Sequence, residues 1–159
     1  MNPFDQATAG NDIVDLRDVR DERERILRLL EDAGDESFDA VVEKKISVDR
    51  WADDLLENND LMMVVDLSND DVTFVIDTVN LEGQLSGWGS LDEAANNNPV
   101  LVLDDHFVDY IKEMASDLGA YKADNPWPLN CIDWEAAADE LRPDWNEVKF
   151  AQYVYQMRG

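Results

Sequence analysis

The chain has few of the residues on which catalysis, disulfide bonding and zinc binding depend. Its 159 residues include one cysteine, Cys131, and one histidine, His106. A single cysteine forms no internal disulfide and supplies no cysteine-rich zinc site, which favours a reducing compartment. The sequence also lacks Gly-rich phosphate loops, nucleophile elbows and the His-Glu-x-x-His zinc motif. We therefore expect a protein that is not an enzyme and that binds no cofactor.

Two short segments contain residue types that can bind a metal ion or act as a nucleophile. Asp104, Asp105 and His106 are side chains that bind divalent cations, but adjacent residues on a helix point in different directions. The sequence therefore predicts no metal site. Cys131 lies beside Ile132 and near Trp134, and this apolar neighbourhood predicts a small buried side chain rather than a nucleophile.

Basic residues are scarce as well. The chain has 37 acidic and 13 basic residues, which gives a formal net charge of −24. Direct binding to nucleic acid or to an anionic membrane needs a basic surface that displaces counterions, so both are excluded. No segment has the ~20 apolar residues that span a bilayer, and the N-terminus does not have the pattern of a secretion signal. We expect a cytoplasmic protein whose partner is basic.

Apolar residues, by contrast, are plentiful. They make up 45% of the chain and include five Trp and five Phe, which is enough to fold a core. The patterns along the chain predict an α+β fold, a small antiparallel sheet with several acidic amphipathic helices. We expect a flexible leader over 1–11, an N-terminal region over 12–99 and a C-terminal region over 100–159, together in one compact unit.

The N-terminal region begins with a predicted helix over 12–33, which ends at Gly34. Five of the 13 basic residues of the chain lie in 17–28, with acidic partners at the favourable spacing of four residues, such as Asp21 with Arg25. Two interpretations of this helix stay open, a solvated face with internal ion pairs and a dimerisation surface. Ser47 then begins a predicted helix over 48–58, and the segment 38–46 between them is ambiguous.

Residues 61–67 and 72–81 are rich in β-branched and aromatic side chains and flank a polar turn, which predicts an antiparallel hairpin. The glycine-rich segment 82–90 that follows is predicted to be a loop. It carries Trp88, which is a candidate aromatic anchor for a partner or, in the alternative interpretation, folds back onto the core.

The C-terminal region contains two predicted acidic helices. The apolar run 100–103 leads into a helix that is predicted from Phe107 to Leu118, with Asp104 or Asp105 as its N-cap. A second helix is predicted over 134–141, and the alternation over 148–157 predicts a final strand. The outer faces of the two helices form the candidate partner-binding surface, which consists of Asp104, Asp105, Asp109, Glu113, Asp117, Glu135, Asp139 and Glu140.

The size of the net charge is compatible with imitation of DNA. Duplex DNA carries one charge per about 1.7 Å of its axis, so 24 charges correspond to about 12 base pairs, or about 40 Å. A globule of this length has a diameter of about 40 Å. Carboxylates four residues apart on a helix lie about 6 Å apart, which is comparable with successive phosphates. Such a surface could occupy the basic groove of a DNA-binding enzyme.

Segments 104–121 and 126–141, with the closing strand through 153–155, resemble the C-terminal part of the ArdA-type antirestriction proteins and of related small phage proteins. The match covers about a third of the chain. The usual N-terminal segment of that family is not visible in residues 1–60, where a charged helix is predicted. The matching residues are Tyr110, Gly119, Ala120, Ile132, Asp133, Trp134, Ala137 and Leu141.

This resemblance implies a DNA mimic that is encoded by a phage or mobile element and acts in the host cytoplasm. Such a protein inhibits a host DNA-binding defence enzyme, type I restriction–modification above all, by occupying its DNA-binding groove, often as a homodimer. Two alternatives remain open. The excess of Asp over Glu and the scarcity of Lys suit a halophile-adapted protein. An acidic regulator or immunity-type protein would instead mask a basic partner without imitating DNA.

Overall fold

The structure is a computed structural model that describes residues 10–85, 90–97, 99–122, 124–128 and 130–158. These residues form eight α-helices and a four-stranded antiparallel sheet, which confirms the predicted α+β fold. None of the described helices is both long and apolar enough to cross a membrane. Apart from Gly10 and Asn11, the predicted flexible leader lies outside the described residues. The helices are α1 (Leu16–Asp32), α2 (Asp39–Val42), α3 (Val48–Glu57), α4 (Asn59–Val65), α5 (Asn69–Gly83), α6 (Leu91–Asn97), α7 (Phe107–Asp117) and α8 (Trp134–Leu141).

The sheet has the strand order β1-β2-β4-β3, and all neighbouring strands are antiparallel. The sequence predicted a single strand over 148–157, and this prediction is wrong. The chain reverses at Ala151, whose φ of 56° is left-handed, and Phe150 pairs with Tyr153 across the turn. The strands are β1 (Ile13–Asp15), β2 (Val100–Leu103), β3 (Trp145–Phe150) and β4 (Tyr153–Arg158).

The sheet lies between two layers of helices. Leu101 and Tyr155 belong to the core that one face of the sheet shares with α1, α5 and α6. On the opposite face, Val102 packs with Phe107 of α7 and Ala138 of α8. Because successive residues of a strand point to opposite faces, Leu101 and its neighbour Val102 join different cores. The sheet therefore positions the two acidic C-terminal helices on a face of their own.

Helix α1 begins at Leu16 and not at residue 12 as predicted, because Ile13–Asp15 pair with β2 as strand β1. Its end agrees with the prediction, since Gly34 lies just beyond Asp32 with a left-handed φ of 90°. The two ion pairs that were expected at a spacing of four residues, Asp21 with Arg25 and Glu24 with Arg28, are not among those formed by the described residues. Arg25 instead binds Glu22 at 2.6 Å and approaches Asp71 of α5 at 3.8 Å. Arg20 and Arg23 likewise reach acids of neighbouring helices, Asp92 of α6 and Glu82 of α5.

The predicted hairpin over 61–67 and 72–81 is wrong, because both segments are helical and form α4 and α5. Ser68 and Asp71 form a capping box that begins α5. Val72, Val75 and Thr78 then lie three residues apart and are fully buried on one side of the helix. A β-branched residue costs a helix less than about 0.7 kcal/mol, whereas burial of a valine side chain contributes about 1.5–3 kcal/mol. Burial therefore outweighs strand propensity.

Helix α3 agrees with its prediction. Ser47 accepts a hydrogen bond from the backbone N–H of Arg50 and so caps the helix. Trp51 and Leu55 are buried, and the indole Nε1 donates to Ser37 Oγ at 3.1 Å. The ambiguous segment 38–46 contains the short helix α2.

The edge strand β3 is blocked by the side chain of Gln84, the residue that follows α5. Gln84 Oε1 accepts a hydrogen bond from Lys149 N at 2.7 Å, and Gln84 Nε2 donates to Lys149 O at 2.8 Å. These two bonds occupy groups that a further strand would use for pairing. The amide therefore fixes the end of α5 against the sheet and closes this edge at Lys149.

Candidate functional site

The described residues of the segment 104–144 form the outer layer on one face of the sheet, and we call this segment the α7–α8 layer. It contains eleven acidic residues and three basic ones. Ile111 and Ala138 bury the apolar sides of α7 and α8 over the sheet, where the two helices pack against each other. The charged sides of both helices are therefore directed to solvent.

The predicted stripe of four carboxylates on the first acidic helix is exposed along its whole length. Asp105 lies in a 3₁₀ turn over Asp104–His106, whereas Asp109, Glu113 and Asp117 lie on α7. None of the four makes an ion pair or a side-chain hydrogen bond with a residue that the structure describes. Positions four residues apart are rotated by about 40° around an α-helix, so the stripe winds around α7.

The second acidic helix has the predicted bounds and the predicted cap. Asp133 accepts a hydrogen bond from Ala136 N at 3.1 Å. Glu135 and Glu140 are exposed and have no ionic partner among the described residues. Asp139 is 72% exposed and accepts a hydrogen bond from Arg142 Nε at 3.1 Å. Its charge is therefore partly compensated, while those of Glu135 and Glu140 are not.

Asp104 has a different role from the other predicted site residues. Its Oδ1 accepts hydrogen bonds from Arg142 Nη1 at 2.8 Å and from Gln156 Nε2 at 3.0 Å. The hydrogen bond from Arg142 holds the pKa of Asp104 below its usual value. These bonds tie the start of α7 to the end of α8 and to β4. The predicted N-cap is not formed: α7 follows a 3₁₀ turn, with no side-chain cap from Asp104 or Asp105.

Six of the eight predicted site residues are exposed carboxylates that form no ion pair with a described residue. We call them the acidic face. One basic residue, Lys112, lies within α7 itself. Its Nζ is 5.7 Å from the centre of the Tyr121 ring and 6.0 Å from that of Trp134. The acidic face consists of Asp105, Asp109, Glu113, Asp117, Glu135 and Glu140.

A second row of acidic residues lies on α3 and was not recognised from the sequence. Asp49, Asp53 and Glu57 are spaced by four residues and are exposed, and none of them has an ion pair with a described residue. The same spacing rule that identified the α7 stripe identifies this row. The prediction of a helix over 48–58 rested on its apolar side chains, so the acidic residues on the other side of the helix were not identified as a row.

Much of the positive charge of α1 is bound within the opposite layer of helices. Arg23 Nη2 lies 3.1 Å from Glu82 Oε2, and Glu82 also accepts a hydrogen bond from Leu91 N. Burial alone would raise the pKa of Glu82, but these hydrogen bonds outweigh it and the pKa is lowered. Arg17 similarly lowers the pKa of Asp15 by hydrogen bonding.

Three further predictions concern single residues or small clusters. Trp88, the candidate aromatic anchor, lies outside the described residues. Cys131 is exposed, so the prediction of a buried side chain is wrong; it lies in the loop before α8 and not in a core. In the described part of the chain, no three His, Cys, Asp or Glu side chains converge on a point where they could hold a metal ion.

The acidic face has the chemistry of a surface that binds guanidinium and ammonium groups. Carboxylates accept charge-assisted hydrogen bonds from Arg in the paired geometry that phosphates also offer. The helices α7 and α8, which have eleven and eight residues and pack on the sheet, hold five of the six carboxylates in place. No protein-family model, curated protein or solved structure matches this chain.

Proposed function

We propose that the protein is an acidic DNA mimic, which inhibits a DNA-binding defence enzyme by occupying its DNA-binding groove. The observation that carries the proposal is the acidic face, six exposed carboxylates without a compensating cation among the described residues. A type I restriction–modification enzyme is the proposed target, in keeping with the resemblance to ArdA-type proteins. The protein acts by binding alone, as a phage or mobile-element product in the host cytoplasm.

The physical basis of the proposal is that one basic groove can recognise both phosphates and carboxylates. Arg binds either group through two parallel hydrogen bonds, and both groups carry negative charge on oxygen. Glu113 and Asp117 on α7 have the spacing of about 6 Å that a row of phosphates presents. Because these side chains project from a packed helix, little ordering is needed when a partner binds.

A competition experiment tests this function. A type I restriction–modification enzyme is loaded with a fluorescently labelled duplex at physiological salt, and the purified protein is added. We expect displacement of the duplex and loss of DNA cleavage. The triple variant Asp109→Lys, Glu113→Lys and Asp117→Lys is expected to lose this inhibition while its circular dichroism spectrum stays unchanged, because the three side chains are exposed.

The α3 row supplies a matched control. The triple variant Asp49→Lys, Asp53→Lys and Glu57→Lys makes the same change in net charge, with the same spacing, on a helix of the opposite layer. We expect it to retain inhibition. Equal losses in the two triple variants would attribute the effect to overall charge and would contradict the proposed surface.

The α3 row also favours a second candidate, in which the acidic surface is an adaptation to high salt. Acidic residues then cover several sides of the molecule without a common partner, and the function is unrelated to charge. The dependence of folding on salt distinguishes this candidate from the DNA mimic.

A further inference from the structure

The loop over 122–133, between α7 and α8, is closed at its base. The rings of Tyr121 and Trp134 meet edge to face with centres 5.0 Å apart, and Lys112 lies over both rings. The loop is shaped further by hydrogen bonds from Asn125 N to Lys122 O and from Cys131 N to Pro128 O. The two ends of the loop therefore lie together, beside α7 and α8.

Among the described residues of this loop and its ends, three large apolar side chains are exposed. Trp127 is 77% exposed, Leu118 is 77% exposed and Ile132 is 38% exposed. Leu118 is three residues from Tyr121 and Ile132 is two from Trp134, so both lie within about 11 Å of the closed base. An indole exposed to this degree costs solvation free energy that burial against a partner would recover.

We propose that Trp127 is the apolar anchor of the interface, and that it inserts into a pocket beside the basic groove of the partner protein. The proposal rests on the proposed function and names a second, non-electrostatic part of the same contact. The charge around the loop determines the kind of partner. Asp117 precedes Leu118, Asp133 follows Ile132, and Asp124 lies within the loop, where Lys122 is the one basic residue. A second copy of this chain or an anionic membrane would be repelled, whereas a basic protein is attracted.

This combination gives affinity by two routes that respond differently to salt. Ion pairs between the acidic face and the groove weaken as salt rises, because counterions compete for both surfaces. Burial of an indole does not release counterions, so its contribution is nearly independent of salt over the physiological range. A pure electrostatic mimic would have only the first route.

The same competition assay tests the inference when it is run at several salt concentrations with Trp127→Ser. We expect the variant to need about thirtyfold more protein for half-displacement, the loss that follows removal of an interface hot spot. The slope of log affinity against log salt is expected to stay that of the original protein. Glu113→Gln is expected to reduce that slope instead, and Trp127→Phe is expected to recover part of the lost affinity.

Met63→Ser is the matched control, because Met63 is 80% exposed on α4 and lies outside the α7–α8 layer. We expect it to compete as well as the original protein. If Trp127→Ser competes within twofold of the original protein while Glu113→Gln weakens binding, the anchor is refuted and the mimic stands. If the unaltered protein does not displace the duplex, both proposals are refuted. Circular dichroism checks that each variant is folded.

Discussion

Asp77 lies on α5 and makes no ion pair or side-chain hydrogen bond with a described residue. It is partly buried, and this burial raises the pKa of its carboxyl group. A raised pKa in the folded state means that the folded chain holds the proton more tightly than the unfolded chain does. Ionisation of Asp77 at neutral pH therefore opposes folding, whereas the protonated group at low pH does not.

Asp77→Asn is therefore expected to stabilise the protein at pH 7, on the order of 0.5 kcal/mol. At about pH 3, where the aspartate is largely protonated in both states, the difference is expected to disappear. Urea unfolding at the two pH values measures this. Asp70→Asn is the control, and we expect it to lower the stability at pH 7. Asp70 is exposed in the first turn of α5, where negative charge is favourable. A variant of Asp77 that is less stable at pH 7 would contradict the interpretation.

Asp104, Asp15 and Glu82 behave in the opposite way, because arginine side chains lower the pKa of each. A lowered pKa contributes stability above the unfolded pKa, and that contribution is lost as the pH falls through the folded value. These residues therefore serve the fold, and the exposed acids of the acidic face remain available to a partner.

At the scale of the element, α5 shows how a local sequence signal competes with propensity. The stretch from Val72 to Val79 contains six β-branched side chains, which favour a strand. The Ser68–Asp71 capping box satisfies backbone donors at its start, and the helix buries one side against α1 and α3. The sequence contains the signal for this capping box, Ser68 followed by Asp71 three residues later. The predicted hairpin assigned the same residues to a turn.

Ser68→Ala is expected to lower the free energy of unfolding by about 1 kcal/mol, because it removes the hydroxyl that accepts from Asp71 N. The change is measured by urea unfolding. Ser116→Ala, at an exposed position in the last turn of α7, is the control and is expected to have little effect. A loss at Ser68 no larger than that at Ser116 would show that the cap contributes nothing measurable.

At the scale of the whole molecule, the net charge of −24 opposes folding through self-repulsion. Arginines of α1 reduce this repulsion locally, since Arg20, Arg23 and Arg25 each lie near acids of other helices. The acidic face and the α3 row have no such partners among the described residues. Screening by salt should therefore stabilise the fold.

We expect a cooperative thermal transition at 0.05 M salt and a midpoint that rises by a few degrees at 0.5 M, since about 1 kcal/mol corresponds to about 2–4 °C at this size. Calorimetry measures the midpoint. A variant with Asp49→Asn, Asp53→Asn and Glu57→Gln is expected to gain less from salt. A chain that folds only in molar salt would support adaptation to high salt over the proposed DNA mimic.

The sequence by itself determined the features that depend on near neighbours along the chain. The helix Trp134–Leu141 with its Asp133 cap, the stop at Gly34 and the spacing of Asp109, Glu113 and Asp117 follow from local hydrogen bonding and helical periodicity. The sequence also determined the net charge of −24.

Only the tertiary structure decided which apolar segments became strands and which carboxylates stayed unpaired. Burial against α1 and α3 made α5 a helix, and a reversal at Ala151 divided the last strand into two. Arg142 is 38 positions from Asp104 in the chain, yet it donates a hydrogen bond to that carboxylate. Asp104 therefore stabilises the start of α7 and does not belong to the acidic face. Such contacts form between segments that are far apart in the chain, and local periodicity and residue type do not predict which distant segments pack together.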